Sequence, residues 1–262
     1  MSGGPFFSGI VQRELDLRGQ VARSPCFYRD AALLGGLFTA DLAAARALMP
    51  TPRHHVLALG GRALVAVHCL DYRDSDIGPY GEVSISVAVA CGPTPRVPAA
   101  RLLSAILTDR YQAQVLSLPV TTDVALWGGL DVFGYPKYLA AIEHEETATT
   151  RICRLRDRES GELILEARGA RLPTRRYPQR PGRLRLLGLT TYPVRGGVTL
   201  RARLVVNLQE AAFRYGRPCL ELQLGAHPHA QVLRRLAPGR QLQHLYAPRC
   251  QAILHPPEEL EG

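Results

Sequence analysis

The sequence predicts a mainly β chain of the α+β kind: an antiparallel sheet or barrel with a few peripheral helices. Period-two alternation recurs along the chain, turn residues interrupt it at short intervals, and only two stretches show helical spacing. The 262 residues are 46% hydrophobic and 21% charged, which suits one domain spanning 1–262 with room for an internal pocket. Residues 1–24 are expected to be a poorly ordered or peripheral N-terminal segment.

In chain order, Asp41 followed by LAAARALMP reads as an N-capped helix ended by Pro50. Residues 56–70 read as two strands hinged at Gly60 and Gly61, followed by the polar loop DYRDSDIGPY. GEVSISVAVAC then alternates strictly. Val83, Ile85, Val87, Val89 and Cys91 form one apolar face, and Glu82, Ser84, Ser86, Ala88 and Ala90 form a small, polar one. That second face fits either a cavity wall or a solvent-facing side with an ordinary surface glutamate.

Residues 98–115 read as a helix, with Leu103, Ile106, Leu107, Tyr111 and Val115 as its core stripe. VTTDVAL reads as a strand leading into GGLDVFGYPKYLAA, residues 128–141. Further strands are expected at 151–156, 162–168, 198–208 and 219–224, with a turn at Ser160–Gly161. Residues 173–193, rich in Pro, Gly and Arg, read as loop plus one short strand.

The formal net charge of +9 raises nucleic-acid binding, but the densest basic region, 151–185, interleaves its arginines with Asp157, Glu159, Glu162 and Glu166. No nucleic-acid motif accompanies it, so solvated strand faces are expected; the charge also suits attraction of an anionic small substrate. The N-terminus has no signal-peptide pattern and no apolar stretch is long enough to span a membrane. Six scattered cysteines without ligand-like spacing fit a reduced, cytoplasmic setting. His54–His55 and His227-Pro-His229 lack metal-site spacing, so no metal is expected. No serine nucleophile elbow, Walker loop or dinucleotide-binding turn is present. Trp127 reads as core or pocket wall.

One residue resists an ordinary explanation. Lys137 is the only lysine among 32 basic side chains, so arginine serves wherever a surface cation suffices. Arginine stays protonated and only donates, whereas a desolvated lysine can lose its proton and attack a carbonyl. An ordinary lysine, with pKa ~10.4, is neutral about once in a few thousand at pH 7, and burial can lower that pKa by roughly 3–5 units. Phe133, Tyr135, Pro136, Tyr138 and Leu139 supply a desolvating neighbourhood. The alternative is an amine that snorkels to solvent from an apolar turn.

LPVTTDVALWGGLDVFGYPKYLAAIEHE resembles the lysine segment of the acetoacetate decarboxylase family, where an aromatic-Pro-Lys turn carries a Schiff-base lysine. FYRDAALLGGLFTADLAAARALMPTP, DSDIGPYGEVSISVAV, LELQLGAHPHAQVLRRL and LYAPRCQAIL extend the resemblance over most of residues 26–254. It implies a closed antiparallel β-barrel-like fold with a buried pocket and no metal or organic cofactor. It implies Lys137 as the Schiff-base amine and Glu82 as the pocket glutamate. Arg29 is the best match for the site arginine. Tyr135 and Tyr138, which flank the Pro-Lys pair, are expected to bind substrate as a pocket wall and a hydroxyl.

The expected partners are a small keto acid and further copies of the chain, without nucleic acid or membrane. The departures are Tyr138 in place of an adjacent second lysine, no second glutamate near Val65, and Gly129-Leu130-Asp131 before the turn. The implied activity is decarboxylation of acetoacetate or a related small β-keto acid. Alternatives are a Schiff-base aldolase or dehydratase acting on a larger keto acid, or a non-catalytic binding protein.

Overall fold

Seven strands close into a barrel, and we number them in chain order as β1 (Cys26–Ala40), β2 (Arg62–Ser75), β3 (Tyr80–Cys91), β4 (Arg110–Ser117), β5 (Arg185–Thr191), β6 (Val198–Tyr215) and β7 (Gln241–Leu254). Around the ring the order is β3-β4-β5-β6-β7-β1-β2, and pairing of β2 with β3 closes it, so none of the seven is left with an unpaired side. The structure, a computed structural model, describes residues 4–93 and 98–260, without the side chains of residues 98, 99, 103 and 106.

Six of the neighbouring pairs are antiparallel, as expected. The seventh is not: β4 and β5 run parallel, with Gly188 opposite Arg110 and Thr191 opposite Ala113. A parallel pair needs a long crossover, and here the connection carries most of a second sheet. That sheet has four antiparallel strands in the order Leu220–Leu224, Leu163–Ala170, Thr150–Asp157, Ala140–Glu146. Its apolar side packs on the outside of the barrel, where Leu155, Ile164 and Leu165 share a buried core with Val65, Val67, Val83, Ile85 and Val87.

Arg151 and Arg154 of this sheet pair with its own carboxylates and the barrel's. Arg154 reaches Glu145 and Glu166 at 2.8 Å each, and Arg151 reaches Glu146 at 2.9 Å and Asp71 at 3.0 Å. Residues 13–24 form a hairpin, Arg13–Leu17 with Gln20–Ser24, and Phe6 and Phe7 are buried against Phe27 and Ile253.

The first helix, α1 (Leu42–Ala47), starts where expected, with the Asp41 carboxylate accepting from the Ala44 N–H at 2.7 Å. Gly60 and Gly61 form the predicted hinge, both at positive φ, between Ala58–Leu59 and β2.

Residues 71–75, read as part of a polar loop, extend β2, and two further elements differ from the sequence reading. The helix expected over 98–115 stops early: α2 is Pro98–Thr108, Asp109 turns at φ 52, and residues 110–117 are the barrel strand β4. The Asp109 carboxylate at this break is paired with Arg185 of β5, at 3.1 Å to Nη2 and closer to Nη1. The helical spacing of Tyr111 and Val115 is overridden by pairing with β3 and β5, which come from distant sequence. Leu107 is exposed and not core, and the side chains of Leu103 and Ile106 lie outside the described residues.

VTTDVAL is likewise not a strand. Val120 makes single bridges to Glu82 and Leu139, and then α3 (Asp123–Trp127) begins and runs into a π-helical turn, Gly128–Phe133. Extended Thr122 followed by Asp123 in the first turn is a helix start that the β-branched run obscured. Trp127 lies under the Arg18 guanidinium, 5.6 Å from the ring centroid, and lines no described cavity.

Candidate active site

The lysine turn is built from backbone outward. Gly134, at φ 71, ends the π-helical turn, and the Tyr135 N–H returns to the Gly129 carbonyl at 2.9 Å. The Lys137 N–H donates to the Tyr135 carbonyl at 2.8 Å, and the Pro136 and Tyr138 carbonyls accept from Leu118 at 3.2 Å and Val120 at 3.0 Å. The aliphatic stem of Lys137 then lies directly against Gly129: a Cβ there would sit 2.1 Å from its Cδ. No residue with a side chain leaves the stem that path.

The amine emerges among aromatic rings and one carboxylate. Lys137 Nζ is 2.8 Å from Glu82 Oε2 and 5.8 Å from the Tyr80 ring centroid. Both charged side chains are largely buried, at 7% and 11% exposure, so this pair is shielded from the solvent that weakens surface ion pairs. The other Glu82 oxygen lies 3.4 Å from the Tyr72 hydroxyl, and the Tyr28 and Tyr80 hydroxyls are 3.2 Å apart. Burial raises the pKa of all three tyrosines, and the Glu82 carboxylate raises it further. They therefore stay protonated at neutral pH, a set of neutral hydroxyls beside the ion pair.

Lys137 and Glu82 face the barrel interior, which holds a chamber of about 580 Å³. Glu82, Ser84, Ser86 and Ala88 all line it, so the small, polar face of β3 is a cavity wall. Tyr135 lines it too, its hydroxyl tied to Thr191 at 2.6 Å. A smaller recess of about 60 Å³ lies on the other side of Lys137, toward the N-terminal hairpin, with Tyr28, Tyr135 and Lys137 in both walls.

Two predicted site residues are elsewhere. Arg29 lines neither cavity; it is ion-paired with Asp76 and lies 3.8 Å from Asp74. Tyr138 also lines neither: it packs against the core outside the barrel and stacks on His229 with centroids 3.8 Å apart. Burial pushes the Tyr138 hydroxyl up to about 12. Val65, which stands near where the resemblance would put a second glutamate, is buried in the solid core outside the barrel.

Sequence reasoning missed Tyr28, Tyr72, Tyr80 and His68. A signal existed for two of them: the triplet Tyr-Arg-Asp occurs at 28–30 and again at 72–74, on adjacent strands. His68 lines the chamber opposite Ser84 in the β2–β3 register, and burial lowers its pKa to about 4.

A closed barrel whose interior meets a shielded lysine–carboxylate pair defines a small-molecule site with an amine at its end. The chain belongs to the acetoacetate decarboxylase family: it matches "Acetoacetate decarboxylase (ADC)" over residues 17–248. A crystal structure of acetoacetate decarboxylase from Legionella pneumophila subsp. pneumophila str. Philadelphia 1 shares its fold, with TM-score 0.62 and 15% identity over 97% of this chain and 93% of that one. The enduracididine biosynthesis enzyme MppR, in a structure with HEPES buffer bound, superposes with TM-score 0.60 and 15% identity, covering 90% and 87%. An acetoacetate decarboxylase-like enzyme from Sphingomonas wittichii RW1 gives 0.54 and 15%, covering 90% and 92%. No curated protein sequence matches significantly. Among the described residues no helix is long and apolar enough to cross a membrane.

Proposed function

We propose that the protein is a Schiff-base lyase that decarboxylates a β-keto acid, with Lys137 as nucleophile and Glu82 as its proton partner. The observation that carries this is the 2.8 Å contact between the chain's single lysine and Glu82, the one carboxylate among the described residues that line the chamber. Glu82 takes a proton from the ammonium, and the free amine attacks the ketone carbon. Loss of water from the carbinolamine leaves an iminium. The electron pair of the bond to the carboxylate flows into that iminium as carbon dioxide departs, giving an enamine. A proton returns to the α-carbon, and water hydrolyses the new iminium, releasing a ketone and the amine. Tyr72, within reach of Glu82, supports the carboxylate as its charge changes.

A second reading is kept because MppR, on the same fold, has been crystallised with the condensation product of pyruvate and imidazole 4-carboxaldehyde. Aldol-type chemistry uses the same iminium and would keep the same two residues. Product analysis separates the readings: decarboxylation releases one carbon dioxide per ketone formed, whereas condensation or dehydration releases none. Lys137→Arg should lower turnover by at least about 10⁴-fold, the scale of losing a covalent nucleophile, with melting unchanged within a few degrees. Turnover retained in that variant removes Lys137 from the reaction.

A further inference from the structure

We propose that the substrate is not a four-carbon oxo acid but one whose ketone carries an extended, largely apolar substituent, lying in the barrel chamber beyond Lys137. The reaction assigned to it rests on the Schiff-base reading above; the ligand class rests on the chamber alone. The chamber, at about 580 Å³, is roughly four times the ~150 Å³ cavity that suffices for benzene, a ligand about the size of acetoacetate.

Its length agrees with its volume. Glu82, Ser84, Ser86 and Ala88 line it in succession, so it follows β3 for six residue steps, about 20 Å at ~3.3 Å per residue. An extended chain advances about 1.2 Å per bond, so the three carbon–carbon bonds of acetoacetate cover about 4 Å.

The chamber has two ends of different character. Lys137 and Glu82 occupy the buried one, beside Tyr28 and Tyr72. The exposed lining residues, Arg101, Ser104, Thr108 and Arg110, all belong to α2 and the start of β4, so the opening is there. The register agrees: Ala88, farthest from Glu82 of the four β3 lining residues, lies opposite Ala113 of β4. From the lysine end, where Leu70 lies opposite Glu82, outward, Leu33, Leu70, Val115, Leu189, Val206 and Leu245 supply apolar lining from six of the seven strands. Ser84, Ser86 and neutral His68 form a polar line along one side. A reacting ketone at Lys137 therefore points its substituent along an apolar tube toward α2.

A homologous series tests this. 3-Oxobutanoate, 3-oxohexanoate, 3-oxooctanoate and 3-oxodecanoate are compared by kcat/KM and by borohydride trapping on the intact protein. Each buried methylene is worth about fourfold, so the eight-carbon acid should exceed acetoacetate by roughly 10²-fold. A flat or falling series overturns the inference. Calorimetry of 2-pentanone and 2-nonanone binding to Lys137→Met reads the chamber without the amine, and the longer ketone should bind at least tenfold tighter. Equal affinities overturn the inference whatever the chemistry. Chain-length-dependent binding without any adduct or turnover would sustain the ligand class and overturn the Schiff-base reading. Ala88→Phe and Ala113→Leu narrow the tube and should each cut the long-chain advantage at least tenfold; an advantage undiminished in both folded variants also overturns it.

Discussion

The two faces of β3 are nearly equally buried and do opposite things. Val83, Ile85, Val87 and Val89, at 0–3% exposure, pack into the solid core between barrel and outer sheet. Glu82, Ser84 and Ser86, at 3–9%, border the chamber instead. Burial alone does not separate a packing face from a working face. Residue chemistry does: β-branched side chains fill space on one side, whereas small hydroxyls and a carboxylate on the other leave space and polar groups for a ligand. The comparison predicts that substitutions on one face act on stability and on the other act on turnover.

The largest expected effect on the chamber face belongs to Glu82. Glu82→Gln keeps the shape but removes the proton acceptor facing Lys137 Nζ, and should lower kcat by about 10²–10⁴-fold with little change in melting. A wild-type rate in this variant would end its role as proton partner. On the opposite face Ile85→Ala should cost about 2–5 kcal/mol in denaturant unfolding while leaving kcat near that of the parent. Its neighbour Ser86→Ala should cost less than about 1 kcal/mol. Equal losses from the two would erase the distinction between the faces.

How much of this was legible in the sequence follows from what each feature depends on. Lys137 stood out because composition alone isolates it, and the β3 faces because alternation is a local pattern. The same pattern left open whether Glu82 met a cavity or solvent, since that depends on the six other strands of the barrel. β4 was hidden inside an apparent helix, because its partners lie about 30 and 80 residues away and its own spacing favours neither state strongly. His68 was hidden because ALVAVHCL reads as an apolar strand on both faces. Arg29 was placed by resemblance, and its structural partner Asp76 lies in the loop after β2, where no spacing rule connects them.

A smaller effect concerns pH. Burial holds His68 at about 4 in the folded protein, against an ordinary value of 6.5. Between these values the unfolded chain binds a proton that the folded chain does not, so stability falls as pH drops from 6.5 toward 4. The contribution is fully present above 6.5 and is at most about 3 kcal/mol. His144, His229, His244 and His255 are also lowered by burial and act in the same direction. The reading is therefore a difference: the melting temperature of His68→Gln should decline less steeply over this window than the parent's. Parallel curves would mean that His68 is not held neutral by its place in the chamber wall.

The most direct measurement of the central claim is borohydride trapping with a 3-oxo acid near pH 7, followed by peptide mapping. Because Lys137 is the only lysine in the sequence, an N-terminal α-amine is the one competing primary amine. A single secondary-amine adduct is expected on the peptide that contains Lys137, lost in Lys137→Arg. Protein that stays unmodified while substrate is consumed, or an adduct confined to an N-terminal α-amine, would contradict Schiff-base catalysis at Lys137.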